Sequence, residues 1–476
     1  MVISQPLCIL GQGLNKVPKL NIIIRVLSRR QHISGCNLSP LLFSIYICEL
    51  GKILNKTGLG IEISNVNIVA ILFADDIAII VKDSKSLKIL MKLLRKYFGI
   101  LRLEISEKKT KIMHSDSETI YFPGDESLPS LELESVCHFK YLGIHVDCSP
   151  RKFTRKFNEN MRKKADRYFY SVLSLARSGP DRSAMAYTIW TSCALPSVLY
   201  GTEIMAADSQ TLKYLEILNN KIGKFILQSS QSSSNAAAHI DAGLRPVWAI
   251  IAEKSLLYAR SVMEKPCHHW ARLALNYHLM EASDSPYSAY LDKWMGKCGT
   301  TIRSQGLIKE AVKRAAIESV LVLKKNTNIT SFAMSTPKRN WFRPKPWIND
   351  TLISKTVSEF RVCNAGFGNR APAADGNRYK LCPLCLKRGA KILNNEVHVI
   401  IDCPSLHAYR QTCGLGPRIA GYRKLIKNMS SVKLYSILLN DSNQEIINKM
   451  GSDLIYMKEA WFKLMNINQE FRFREY

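Results

Sequence analysis

Two short apolar runs, Ile68-Val69-Ala70-Ile71-Leu72-Phe73 and Ile77-Ala78-Ile79-Ile80-Val81, bracket the carboxylates of Asp75 and Asp76. Short, continuous and rich in Ile and Val, the runs predict two buried strands with the acid pair at the turn between them. Upstream, Leu38 to Leu54 predicts a helix entered at Ser39-Pro40, with Leu41, Leu42, Ile45, Tyr46 and Leu50 on its apolar face. Downstream, Ser84 or Ser86 is a candidate cap for a helix whose Leu87, Leu90, Met91, Leu94 and Phe98 recur at three and four residues. Leu101 to Met113 alternates apolar with polar residues ahead of a lysine cluster, and Cys137 to Val146 reads as a strand pair around Gly143. These elements make a mixed α+β block ending near residue 148.

From Arg151 the pattern becomes helical. Phe153, Phe157, Met161, Tyr168, Phe169 and Val172 mark one amphipathic helix, and residues 151–180 hold nine Lys or Arg against two acids. One face therefore packs and the other is cationic, either solvated or set against a polyanion. Further helices are predicted at Met185 to Tyr200, interrupted by Pro196, at Thr211 to Leu227 after a Ser209 cap, and at Pro246 to Met263. Ser229 to Ala238 reads as a loop. Between Pro337 and Trp347 cations alternate with aromatics and prolines, which rules out a regular helix; Trp341, Phe342 and Trp347 either stack on unpaired bases or pack within their own domain.

Composition narrows the classes. The 476 residues are 46% hydrophobic, enough for several cores, with 67 Lys and Arg against 39 Asp and Glu and a formal charge of +28, which favours a nucleic-acid partner. No run of about 18 uncharged apolar residues exists, so no membrane partner is expected. No secretory leader is evident at Met1 to Leu10, and 13 cysteines without a repeating frame fit reduced thiols; the expected compartment is intracellular, nuclear and/or cytoplasmic. Two chemistries stand out. Adjacent buried carboxylates need a cation, and Asp75 with Asp76 offers hard oxygen ligands suited to Mg²⁺. Cys382, Cys385, His398 and Cys403 give C-x₂-C-x₁₂-H-x₄-C, a tetrahedral Zn²⁺ spacing, with His407 as a substitute ligand and Cys363 and Cys413 spare.

Read in order, Gly35-Cys36-Asn37-Leu38-Ser39-Pro40, Phe73-Ala74-Asp75-Asp76, Lys108-Lys109-Thr110-Lys111 and Phe139-Lys140-Tyr141-Leu142-Gly143-Ile144 resemble the reverse transcriptase of non-LTR (LINE-type) retrotransposons. The resemblance continues through Leu199-Tyr200-Gly201-Thr202-Glu203 to the Cys/His cluster. It implies a right-hand polymerase palm, an antiparallel sheet with helices, followed by a helical thumb and a small zinc-binding module. It also implies roles: Asp75 and Asp76 as catalytic Mg²⁺ ligands, Lys109 beside the triphosphate, and Gly35, Ser39 and Pro40 against the incoming nucleotide and template. Tyr141 and Gly143 fall in the primer grip. RNA template, DNA primer and deoxynucleoside triphosphate are the partners so implied.

A two-metal site of this kind uses a third carboxylate on an earlier palm strand. No Asp precedes Asp75, and only Glu49 and Glu62 come earlier among the acids. Ser34 and Ser106 also stand where the family carries glutamine and asparagine. The sequence therefore leads one to expect an N-terminally truncated, catalytically incomplete chain without the leading palm strand. The expected division is 1–148 partial palm, 149–290 helical thumb, 291–376 basic helical and linker region, 377–415 zinc module and 416–476 helical tail.

Overall fold

The computed structural model describes residues 20–28, 39–63, 66–74, 76–113, 120–124, 130–147, 150–179, 181–229, 231, 233, 235–281, 285–303, 306–325, 351–361, 365, 367, 381–426, 428–439 and 444–464. Asp75, Gly35, Cys363 and the 337–347 segment lie outside them. The chain divides into two compact units: residues 1–163, 199–211 and 251–312 form the first, and residues 164–198, 212–250 and 313–476 the second.

In the first unit, β1 (Leu20–Ser28) precedes helices α1 (Ser39–Tyr46) and α2 (Cys48–Lys56), the small hairpin of β2 (Ile61–Ile63) and β3 (Val66–Ile68), and then β4 (Ala70–Phe73) and β5 (Asp76–Val81). Helix α3 (Ser84–Ile100) follows, then β6 (Leu103–Ile105), β7 (Lys111–Met113), the hairpin of β8 (Ile120–Phe122) and β9 (Leu131–Leu133), β10 (Ser135–Val136), and the hairpin of β11 (His138–Tyr141) and β12 (Ile144–Asp147). The main sheet runs β10-β7-β1-β5-β4, with β6 also on β1. Strand β1, which the sequence reading did not name, is central in this sheet. Its LNIIIRVLS run is rich in β-branched residues and pairs antiparallel with β5 on one side and with β6 and β7 on the other.

Every residue of β5 is buried, so the sheet is covered on both faces here. Ile77, Ile79 and Val81 meet Leu87, Leu90, Met91, Leu94 and Phe98 of α3 together with Phe43, Ile47, Leu50 and Leu54 from the α1–α2 pair. The single helix expected over 38–54 is two helices, broken at Ile47, whose φ of −104° and ψ of 10° leave the helical basin. That break turns Phe43 and Ile47 inward, whereas Leu42, Ile45 and Tyr46, expected on the apolar face, stand exposed. The cap of α3 is Asp83, not Ser84 or Ser86: its carboxylate accepts from the Ser86 amide at 2.8 Å and the Ser86 hydroxyl at 3.1 Å. Those bonds to the charged form hold its carboxyl below the usual range.

The helical part comprises α4 (Pro150–Ser178), α5 (Arg182–Ile189), α6 (Leu195–Val198), α7 (Ser209–Ile226), α8 (Asn235–Ala242), α9 (Val247–Met263), α10 (Trp270–Asn276), α11 (Pro286–Cys298) and α12 (Ile308–Lys325). The chain widens into a π turn at Trp190–Ala194 just ahead of Pro196, which has no amide hydrogen to donate. Residues 235–238, expected in a loop, belong to α8. Asp208, rather than Ser209, caps α7 by accepting from the Thr211 amide at 2.6 Å. Asp208→Ala is expected to cost about 1 kcal/mol in denaturant unfolding with unchanged far-UV circular dichroism.

In the second unit, α13 (Thr351–Arg361), the Cys/His segment and the helices α14 (Pro383–Leu386), α15 (His407–Thr412), α16 (Leu415–Leu425), α17 (Ser431–Leu439) and α18 (Gln444–Leu464) share one core. Phe360, Leu406, Leu434, Tyr435, Met457 and Trp461 are at its centre. The Cys/His segment, read from the sequence as 377–415, is thus built into the packing of the helices around it.

Candidate nucleic-acid and metal sites

Asp76 is the first residue of β5, buried, and paired across the β4–β5 turn with Phe73. After Phe73, Ala74 sits at φ 49°, a left-handed conformation that a non-glycine residue adopts at some cost. Along β5, Asp76 shares its face with Ala78 and Ile80, opposite the side that packs on α3. On its other flank Asp76 is in register with Arg25 of β1.

The sheet also locates Lys109. β1 pairs with β7 through Asn21 to Ile23 and with β6 through Val26 to Ser28, so the connection Ser106 to Thr110 lies opposite Ile24 and Arg25. Two strand spacings, about 10 Å, separate that turn from Asp76. Both the Lys109 and Thr110 amides donate to the Ser106 carbonyl, at 3.2 and 2.9 Å, and Lys108 and Lys109 are exposed while Lys111 pairs with Glu134. Thr110 is fully buried and anchors the turn.

Asp76 is the carboxylate that the described part of the β4–β5 hairpin places here; neither β1 nor β4 carries one. A cation, Arg25, occupies the register position beside Asp76.

Ser39 and Pro40 open α1, the helix whose Phe43 joins the core beneath the sheet. At the β11–β12 hairpin the Tyr141 ring is buried in the core, 2% exposed, so the hairpin presents its turn, Leu142 and exposed Gly143, rather than the Tyr141 ring. Both turn residues have positive φ, 47° and 87°, as a two-residue hairpin of type I′ demands.

The Cys/His ligands do converge. One ligand atom from each of Cys382, Cys385, His398 and Cys403 lies within 4.8 Å of every other, and all four residues are buried. Cys385 Sγ is 3.3 Å from His398 Nε2 and 3.8 Å from Cys403 Sγ. A tetrahedral ion with Zn–S bonds of about 2.3 Å sets its sulfurs about 3.8 Å apart, so the cage fits Zn²⁺. The knuckle forms because Cys382 donates its amide to Ile392 O at 2.7 Å, and the Leu386 and Ala390 amides return to Cys382 O and Cys385 O. His398 is fixed by its amide bond to Asn395 Oδ1 at 2.9 Å. A hydrogen bond from Cys403 pulls the Cys382 thiol down to about 4, and that same bond pushes Cys403 up. Burial raises Cys385. His407, the substitute ligand, is exposed outside the cage.

Sequence reading missed Arg410. It is 4% exposed and donates to Cys403 O at 2.6 Å and Val399 O at 3.3 Å, which orients the last ligand and sets a positive charge against the thiolates. Along α4, Phe157, Met161, Ala165, Phe169, Val172 and Ala176 are buried, while Arg155, Lys156, Lys163, Arg167 and Arg177 are exposed.

No helix among the described residues is long and apolar enough to cross a membrane. No curated protein matches the chain. Residues 29–146 match the family model described as reverse transcriptase (RNA-dependent DNA polymerase). The match begins just after β1 and ends at β12, enclosing the Asp76 hairpin, the Lys109 turn and the Leu142-Gly143 turn, and a family of this kind handles nucleic-acid template, primer and nucleotide. Over residues 29–146, about a quarter of the chain, the protein is thus similar to the reverse transcriptase family.

Proposed function

We propose that this chain is the reverse transcriptase protein of a non-LTR (LINE-type) retrotransposon, an intracellular nucleic-acid-binding protein that by itself is catalytically incomplete. The observation that carries it is the sheet order β7-β1-β5-β4, which brings the Asp76 hairpin and the Lys109 turn to one end of a palm-like sheet. In this reading the Lys109 turn faces the triphosphate, Ser39 and Pro40 with Gly35 face template and nucleotide, and the Leu142-Gly143 turn carries the primer. The helices after residue 149 act as the thumb, with the cationic face of α4 along the duplex phosphates. The Cys₃His centre holds a structural Zn²⁺, and Asp75 with Asp76 retains the carboxylates that bind Mg²⁺ in a complete site.

A second reading, a non-enzymatic nucleic-acid-binding remnant, is favoured by the register of Arg25 with Asp76. Primer extension tests the incompleteness that both readings share. With purified protein, an RNA template, a DNA primer, dNTPs and Mg²⁺ or Mn²⁺, no incorporation is expected, while RNA and primer–template bind with an affinity that falls steeply with salt. Robust incorporation abolished by Asp75→Ala overturns the incompleteness. Arg25→Asp, which sets a carboxylate in register with Asp76, is expected to raise Mn²⁺ affinity measured by electron paramagnetic resonance if the hairpin keeps its polymerase geometry.

A further inference from the structure

The segment Leu199-Tyr200-Gly201-Thr202-Glu203 has no part in the reading above, yet it is one of the most densely bonded stretches of the first unit. Tyr200 Oη donates to Leu142 O at 2.9 Å. The edge of the Tyr200 ring approaches Gly143: a Cβ there would come within 3.2 Å of ring atom Cε1. Next to it Gly201, at φ 89°, leaves no space for a side chain between Ile144 of β12 and Phe157 of α4.

The same segment is tied at its far side. Glu203 accepts from the Gly201 amide at 3.0 Å and pairs with Lys254 at 2.8 Å, and Lys254 also donates to Leu199 O at 3.1 Å. Thr202 O, on a fully buried residue, accepts from Ser255 Oγ at 3.0 Å and Tyr290 Oη at 2.8 Å, while Tyr287 Oη donates to Glu203 O at 3.3 Å. Helices α9 and α11 therefore hold the segment, and the segment holds the turn of the β11–β12 hairpin.

That turn needs holding. Leu142 sits at φ 47°, a conformation costly for a branched side chain, and it persists only where surrounding contacts over-determine it. Tyr200 supplies both contacts, a hydrogen bond to the strained residue and a wall behind Gly143.

We propose that Tyr200 is a positioning residue: it fixes the Leu142-Gly143 turn in the one orientation that seats the recessed 3′ end of a nucleic-acid duplex, with the Glu203–Lys254 pair as its anchor. This rests on the proposed function for the identity of the ligand and on the geometry alone for the latch.

The test uses the full chain. In Tyr200→Phe, amide hydrogen exchange at 138–147 is expected to rise about three- to tenfold, the loss of one hydrogen bond, with the melting temperature nearly unchanged. Affinity for a primer–template with a recessed 3′ end is expected to fall by a similar factor by fluorescence anisotropy, and affinity for single-stranded RNA to stay the same. Gly143→Ala, which attacks the same contact from the hairpin side, is expected to reproduce both effects. Unchanged exchange at 138–147, or equal weakening of both nucleic acids, overturns the proposal. If the unaltered protein binds neither nucleic acid, the proposed function and the 3′-end role fail together, while faster exchange in Tyr200→Phe still establishes the latch.

Discussion

Removing the metal from the Cys382, Cys385, His398 and Cys403 cage is expected to melt the core shared by α13 to α18. The purified protein should carry one zinc per chain, released by a chromophoric chelator or by Cys403→Ser, with loss of near-UV signal from Trp461 and a separate low-temperature transition. The reason is the composition of the cage. Three thiols and one imidazole face one another with no solvent around them, and without a cation they cannot all hold the charged, ligating form. Metal binding in small zinc folds is worth about 10–16 kcal/mol; an ion in this cage would sit within a larger core that also includes Leu406, Val399 and Trp461. A protein that purifies without zinc and melts identically with and without chelator would contradict the assignment.

Arg361→Ala is expected to destabilise the second unit by about 3–5 kcal/mol, the usual cost of stranding one partner of a buried ion pair. Arg361 meets Asp241 with two bonds, Nε to Oδ2 at 3.1 Å and an NH₂ nitrogen to Oδ1 at 2.9 Å, with side chains 8% and 2% exposed, and it also donates to Leu439 O. The pair clips α8 to α13, elements 120 residues apart in sequence. Removing the guanidinium leaves a carboxylate buried without compensation, whereas the double variant Arg361→Met, Asp241→Leu should recover much of the loss. Urea unfolding of the single and double variants reads both. A single-variant cost below about 1 kcal/mol would place the pair in contact with solvent.

Much of this was legible in the chain because local pattern dictated it. The apolar runs around Asp75-Asp76 form β4 and β5, the three-and-four spacing from Leu87 to Phe98 forms α3, and Pro150–Ser178 is one amphipathic helix. C-x₂-C-x₁₂-H-x₄-C specified a cage because two cysteines in one knuckle and two ligands from a following turn can close only around something small. Helix boundaries were less legible: an aspartate outcompeted the serines at both caps, since a carboxylate accepts amide hydrogens more strongly than a hydroxyl does. The strand at Leu20–Ser28 went unread because an apolar run at the start of a chain declares no partner.

The sequence by itself determined most of the strands and helices, the Cys/His cluster and the order of motifs matched by the reverse transcriptase family over 29–146. Only the tertiary structure decided what stands beside them. The register of Arg25 with Asp76, the seat of Arg410 against Cys403, the clip from Arg361 to Asp241 and the Tyr200 latch on Leu142 all join residues whose sequence neighbours give no hint of the contact. Periodicity encodes which face of an element is apolar; it does not encode which other element meets that face, because pairing is settled by the packing of the whole core.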